Sequence, residues 1–192
     1  MGLDMYLHAK QYVRNWNHSD QSEKDCYNRV ASALGLSDAD FSHLRNTGKS
    51  VDISLKVAYW RKANAIHKWF VGNCQGGVDD CRDAEVSREQ LAELVQLCKT
   101  ALGTLETVEG ELDNGTTYYG DGRVVHHKVP GQVVAQATLA AATLPTQAGF
   151  FFGSTDYDEY YLAELRQTVE QLEAVLNNPK FEHWHFEYSA SW

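Results

Sequence analysis

Residues 55–73 read LKVAYWRKANAIHKWFVGN, and the interpretation of this stretch decides the fold class. Tyr59, Ala63, Ile66 and Phe70 recur at spacings of three and four, so a long aromatic helix is expected from about Leu55 to Asn73. Trp60, Asn64 and His67 then form a neighbouring stripe that offers a ring face, an amide and an imidazole. Such a stripe suits a nucleobase or sugar, and Arg61 and Lys68 beside it suit phosphate or carboxylate. The competing interpretation is a broad core face, with Asn64 and His67 bonded to backbone or to packed helices.

Working outward, a helix is expected from about Ser22 to Leu34, and Ser37 with Asp40 opens a shorter one that Thr47-Gly48 stops. Ser87 and Gln90 form a capping box before an inner face of Leu91, Leu94, Val95, Cys98 and Leu102. Strand periodicity is confined to the ends. Leu3, Met5 and Leu7 alternate with polar or amphipathic neighbours, and Phe181 to Ser189 alternates after the Asn178-Pro179 break. Each strand alone would leave a bare edge, so the two are expected to pair in one antiparallel sheet. Asn114-Gly115 and Gly120-Asp121-Gly122 mark a hairpin or flap insertion within 104–140, while Thr138 to Thr143 is ambiguous. The expected fold is α+β, a mostly helical single domain over 1–192 with a small antiparallel sheet joining the N- and C-terminal strands.

The second aromatic constellation is PTQAGFFFGSTDYDEYYL, residues 145–162. It places three phenylalanines, three tyrosines and two glycines before a helix start, which Asp156 with Glu159, or Thr155 with Asp158, would cap. Tyr161, Leu165, Val169, Leu172 and Leu176 give that helix an inner stripe. Gly153 and Ser154 are thereby expected near free helix N–H groups, a setting for a carboxylate or phosphate oxygen. An aromatic core turn with an ordinary cap would account for the same residues.

Composition narrows the function classes. A net charge of −9 argues against a groove binder of nucleic acid, which needs clustered Lys and Arg. Cys26, Cys74, Cys81 and Cys98 lack C-x-x-C spacing, and neither a leader nor a membrane span is visible. A reducing cytoplasm is the expected compartment, with no membrane association. His183, His185 and Glu187 would share one face of a terminal strand and could hold a divalent ion, but no fourth ligand is identifiable, and no metal is assigned. Nucleophile elbows, dinucleotide fingerprints and metalloprotease motifs are missing, so no catalytic residue and no cofactor are assigned.

Four pieces of the chain carry a resemblance: MGLDMYL at 1–7, WRKANAIHKWF at 60–70, LPTQAGFFFGSTDYDEYYL at 144–162 and SASW at 189–192. Together, in that order, they resemble a family of small uncharacterised phage and prophage proteins. The resemblance supplies a setting and no activity. In kind, such a protein is similar to phage sponges that sequester nucleotide-derived immune signals of the host. The expectation is therefore a phage-encoded, non-enzymatic binding protein in the cytoplasm of an infected bacterium. Trp60, Phe150, Phe152 or Tyr157 would stack on a base, and Arg61 and Lys68 would neutralise phosphates. Asn64, His67, Gln147, Ser154 and Thr155 would complete the polar edge. Two alternatives stay open: an enzyme that degrades the signal, and an inhibitor that binds a host protein through Tyr118, Tyr119 and the hairpin. A homo-oligomer stays open as well.

Overall fold

Alternation at the start of the chain builds the first strand, because Leu3, Met5, Leu7 and Ala9 are fully buried while Asp4, Tyr6 and His8 keep partial exposure. The computed structural model describes residues 2–43 and 48–192. In chain order these form β1 (Asp4–Asn15), α1 (Gln21–Ala33), β2 (Lys49–Arg61), α2 (Asn64–Cys74), β3 (Ala84–Val86) and α3 (Arg88–Thr104). There follow β4 (Thr107–Tyr118), β5 (Val124–Val134), α4 (Ala137–Thr143), α5 (Glu159–Leu176) and β6 (His185–Ser191). One antiparallel sheet has the order β2-β1-β6-β3, and β4 with β5 makes a second.

The mostly helical expectation is overturned. Of the described residues 39% are helical and 32% are in strands, and the difference traces largely to residues 49–61. Val51, Ile53, Leu55, Val57 and Tyr59 recur at every second position, and Ala58 and Trp60 of the other face are buried, so the stretch before Arg61 is β2 and not helix. Lys62 then turns the chain with φ 61°, and the helix begins only at Asn64. The Tyr59, Ala63, Ile66 and Phe70 spacing spans this turn, so it imitates one helical face across two elements. The terminal strands are neighbours in the sheet, although Phe181 belongs to a short 3-10 turn and β6 starts at His185.

Helix starts follow local chemistry. Asp20 caps α1 by accepting from the Glu23 amide, and Ser87 with Gln90 closes a capping box on α3. Ser37 and Asp40 form a capping box on a short 3-10 turn, Asp38–Phe41; the expected stop at Thr47 lies outside the described residues. At α5 the cap is Asp158, whose carboxylate accepts from the amides of Tyr160 and Tyr161, in place of the Asp156 and Glu159 frame. Gly153 and Ser154 therefore lie upstream of the helix, and their amides are not its free N–H groups.

The hairpin of 104–140 is formed by β4 and β5, with its turn at Tyr119 to Gly122. Asn114-Gly115 is a bulge within β4, where the pairing shifts between Asp113 and Thr116 and Gly115 has φ +100°.

Two compact units divide the chain, 1–8 with 56–192 and 9–55, and the division falls within β1 and β2. The larger unit packs Trp60, Phe70, Leu91, Leu94, Phe186 and Tyr188, all nearly inaccessible to water, and the Phe70 and Tyr188 rings stack at 4.0 Å. In the smaller unit Tyr27 is the buried residue of α1, and Arg14 pairs with Glu23 at 2.9 Å. No helix of the described residues is long and apolar enough to cross a membrane.

Candidate functional site

The sequence pieces that lie far apart in the chain meet around the turn between β2 and α2. Leu3 donates its amide to the Phe151 carbonyl at 3.2 Å, and its own carbonyl accepts from the Lys62 amide at 2.8 Å. Asn64 fastens the aromatic loop from the other side. Its amide nitrogen donates to the carbonyls of Phe152 and Ser154, at 3.2 and 2.7 Å, and its oxygen accepts from the Gln147 amide at 3.0 Å. Asn64 is only 3% exposed; its bond to the Phe152 carbonyl is buried, and those to Ser154 and Gln147 are partly buried.

Behind this clamp is a buried polar network. His67 is completely buried, with Nδ1 2.7 Å from the Tyr188 hydroxyl and Nε2 3.0 Å from Asp79. Asp79 also accepts from the Trp192 indole at 3.1 Å, and the Phe152 ring packs against both His67 and Trp192. Opening and closing segments, the 60–70 region and the 144–162 loop are thus bound to one another.

In front of the clamp is a cavity of about 560 Å³. Arg61, Lys62 and Asn64 line one wall, Thr146, Gly153 and Ser154 another, and α5 with its cap contributes Asp158, Tyr160, Tyr161 and Glu164. The β4 bulge adds Asp113, Asn114 and Gly115, and Asp156 completes the lining. A volume of this order accommodates a small organic ligand.

Three of the residues proposed from sequence, Arg61, Asn64 and Ser154, line this cavity. Trp60 is in the core, where its indole donates to Thr168 at 2.9 Å, and His67 and Phe152 belong to the buried network. Phe150 is almost fully exposed, and Lys68 reaches toward the Thr146 carbonyl at 3.5 Å. Gln147 binds Asn64 and approaches Asp79; the Tyr157 hydroxyl accepts from the Thr146 amide, and the Thr155 carbonyl accepts from the Thr146 hydroxyl. None of these eight lines the cavity. Their bonds hold the wall in place, and base stacking by Trp60 or Phe152 is precluded by their burial. His183 lies in the turn before β6, off the strand that carries His185 and Glu187, and no metal-holding group of three acids, histidines or cysteines exists among the described residues.

Electrostatics differ from wall to wall. Arg61 sits 3.7 Å from Asp4 and keeps more than half of its side chain in solvent, while Lys62 has no ion-pair partner among the described residues. On the α5 wall, burial pushes the Glu164 carboxyl up to about 8, with a smaller contribution from Asp158. Burial also raises Asp158, against the lowering effect of the Tyr161 and Tyr160 amides. The sequence names Asp158 only in a capping frame with Thr155, and it does not mark Glu164 or Lys62. Glu164 precedes the inward Leu165 on a helix with other acids, and a lysine in a left-handed turn has no sequence signature.

The Lys62 backbone is strained, since a side chain at φ 61° crowds its own carbonyl. Gly153, at φ +89°, lets the two chains approach: a Cβ there would stand 3.2 Å from the Lys62 Cβ. Lys62→Gly is therefore expected to retain wild-type stability or exceed it by about 1 kcal/mol. Urea denaturation checks this, and a loss of stability would show that the lysine stem contributes packing that outweighs its strain.

Compared with known proteins, the chain matches no family model, no curated protein and no solved structure.

Proposed function

We propose that this protein binds a small nucleotide-derived ligand in the cavity and holds it without chemical change. The observation that carries the reading is the pair of adjacent cations, Arg61 and Lys62, presented to a polar cavity on a protein of net charge −9. Holding Lys62 in a strained conformation is a cost that an anion contact would offset. Phosphate oxygens fit the Arg61 and Lys62 wall, and the Asn64 clamp keeps the opposing loop in register. Stacking, in this reading, falls to the half-exposed Tyr160, which lines the cavity, and not to Trp60. The likeness of the four sequence pieces to phage proteins supports a role in sequestering a host immune signal.

Calorimetric titration of cyclic dinucleotides and ADP-ribose tests the proposal. Arg61→Ala is expected to lose one charge-assisted contact, on the order of 1.5–3 kcal/mol or about ten- to a hundredfold in affinity, with an unchanged circular dichroism spectrum. Absence of binding across the panel, or equal binding by wild type and variant, would count against it.

A second reading has its own observation. Tyr118, Tyr119, Val124 and Val125 are exposed together at the hairpin turn, which suits a protein contact. Co-purification of a host protein, lost in Tyr118→Ser, would favour that inhibitor reading.

A further inference from the structure

The cavity pairs its cationic wall with a carboxyl wall, and the two oxygens of Asp158 differ in use. Oδ1 accepts from the amides of Tyr160 and Tyr161 at 2.9 and 3.0 Å, as a helix cap does. Oδ2 is shielded from water and has no hydrogen-bond partner among the described residues, although Asp158 lines the cavity and is 2% exposed. A buried acceptor in this state is unsatisfied, and a ligand donor that reached it would relieve that cost. Glu164, further along α5, lines the same cavity, and burial disfavours the charged form of both carboxyls. Asp113 and Asp156 are also in the lining, but the Asp113 carboxylate accepts from the Gly115 amide and Asp156 is exposed, so neither offers a buried unpartnered acceptor.

We propose that Asp158 and Glu164 form a subsite for hydrogen-bond donors of the ligand, in the cavity whose other wall carries Arg61 and Lys62. The inference rests on the anion-binding reading above and deepens it. An amino group of a base, or the diol of a sugar, supplies donors where this wall has acceptors, which a phosphate does not. The two walls together orient the ligand, with its anionic group toward the turn after β2 and its donors toward α5. Recognition through an otherwise unpartnered buried acceptor discriminates strongly, because a ligand lacking the donor leaves that acceptor unsatisfied.

Two probes separate the walls. Pyrophosphate presents only anionic oxygens, whereas ADP-ribose adds an amino group and diols. Asp158→Asn retains the cap, since the amide oxygen replaces Oδ1, and it turns the free acceptor into a donor. The expected result is at least tenfold weaker binding of ADP-ribose, with pyrophosphate affinity unchanged within about twofold. Glu164→Ala, which removes the acceptor, should show the same selectivity, and circular dichroism confirms folding of both variants. The hypoxanthine analogue of ADP-ribose identifies the source of the donors: an Asp158→Asn effect that vanishes with it assigns the amino group, and one that persists assigns the diol. Unchanged ADP-ribose affinity in both variants, or equal losses for both probes, overturns the subsite. Wild-type protein that binds pyrophosphate but not ADP-ribose overturns the subsite alone. Binding of neither probe overturns the anion-site reading together with it.

Discussion

Replacing Asn64 by alanine is expected to destabilise the protein by about 3 to 5 kcal/mol, because one side chain satisfies the carbonyls of Phe152 and Ser154 and the amide of Gln147. The Phe152 carbonyl, left without a partner in a buried site, costs on the order of 1–3 kcal/mol, and the partly buried Ser154 carbonyl and Gln147 amide, which water reaches in part, each cost less. No isosteric apolar residue repairs the loss, since the three partners are fixed backbone. Urea unfolding of wild type and Asn64→Ala measures the difference. A cost under about 1 kcal/mol would mean that the 144–158 loop is held by its remaining contacts and that the clamp is incidental.

The second large effect depends on pH. Burial pushes the Glu164 carboxyl up to about 8 from its ordinary 4.5, so between these values the folded state is expected to hold a proton that the unfolded chain has released. Its contribution is complete below pH 4.5 and is lost as pH rises through 8. A full shift of this size corresponds to about 5 kcal/mol, and the residual solvent access of the carboxyl lowers the expected loss to about 3 kcal/mol. Glu164→Gln removes the titration while preserving shape. The variant should therefore exceed wild type by about 3 kcal/mol at pH 8 and come close to it at pH 4.5. Urea unfolding at the two pH values provides the check; a variant whose advantage is the same at both would show that burial of this carboxyl is not what separates them.

Legibility of the sequence varied with how many patterns shared a segment. Leu3, Met5 and Leu7 show only one period, and the pairing of β1 with β6 follows from it. Residues 49–70 carry two overlapping periods, an alternation through Tyr59 and a helical spacing from Tyr59 onward, and the boundary falls at a left-handed lysine that no glycine announces. For the same reason the mostly helical expectation failed. Turn chemistry was ambiguous in a related way: Asn114-Gly115 has the composition of a hairpin turn but forms a bulge, and it is this bulge that brings Asp113 to the cavity.

The candidate site divides along similar lines. Aromatic type marks the 60–70 and 145–162 regions as unusual, yet it does not say which side of a ring meets water. Trp60, His67 and Phe152 are consumed by the core and the buried network, while Asn64, the least conspicuous of the group, joins the two regions. Asp158 reads from sequence only as part of a helix cap; in the structure its Oδ1 makes the cap while Oδ2 has no hydrogen-bond partner among the described residues.

Reversible retention of an anionic nucleotide-type ligand is checked by recovering that ligand after binding. ADP-ribose or a cyclic dinucleotide is incubated with wild type and Arg61→Ala, the free fraction is removed, the protein is denatured by heat, and the released compound is identified by mass spectrometry. The expected result is intact ligand released from wild type, with at least tenfold less from Arg61→Ala. Recovery of cleaved products, or of equal amounts from the two proteins, would contradict it.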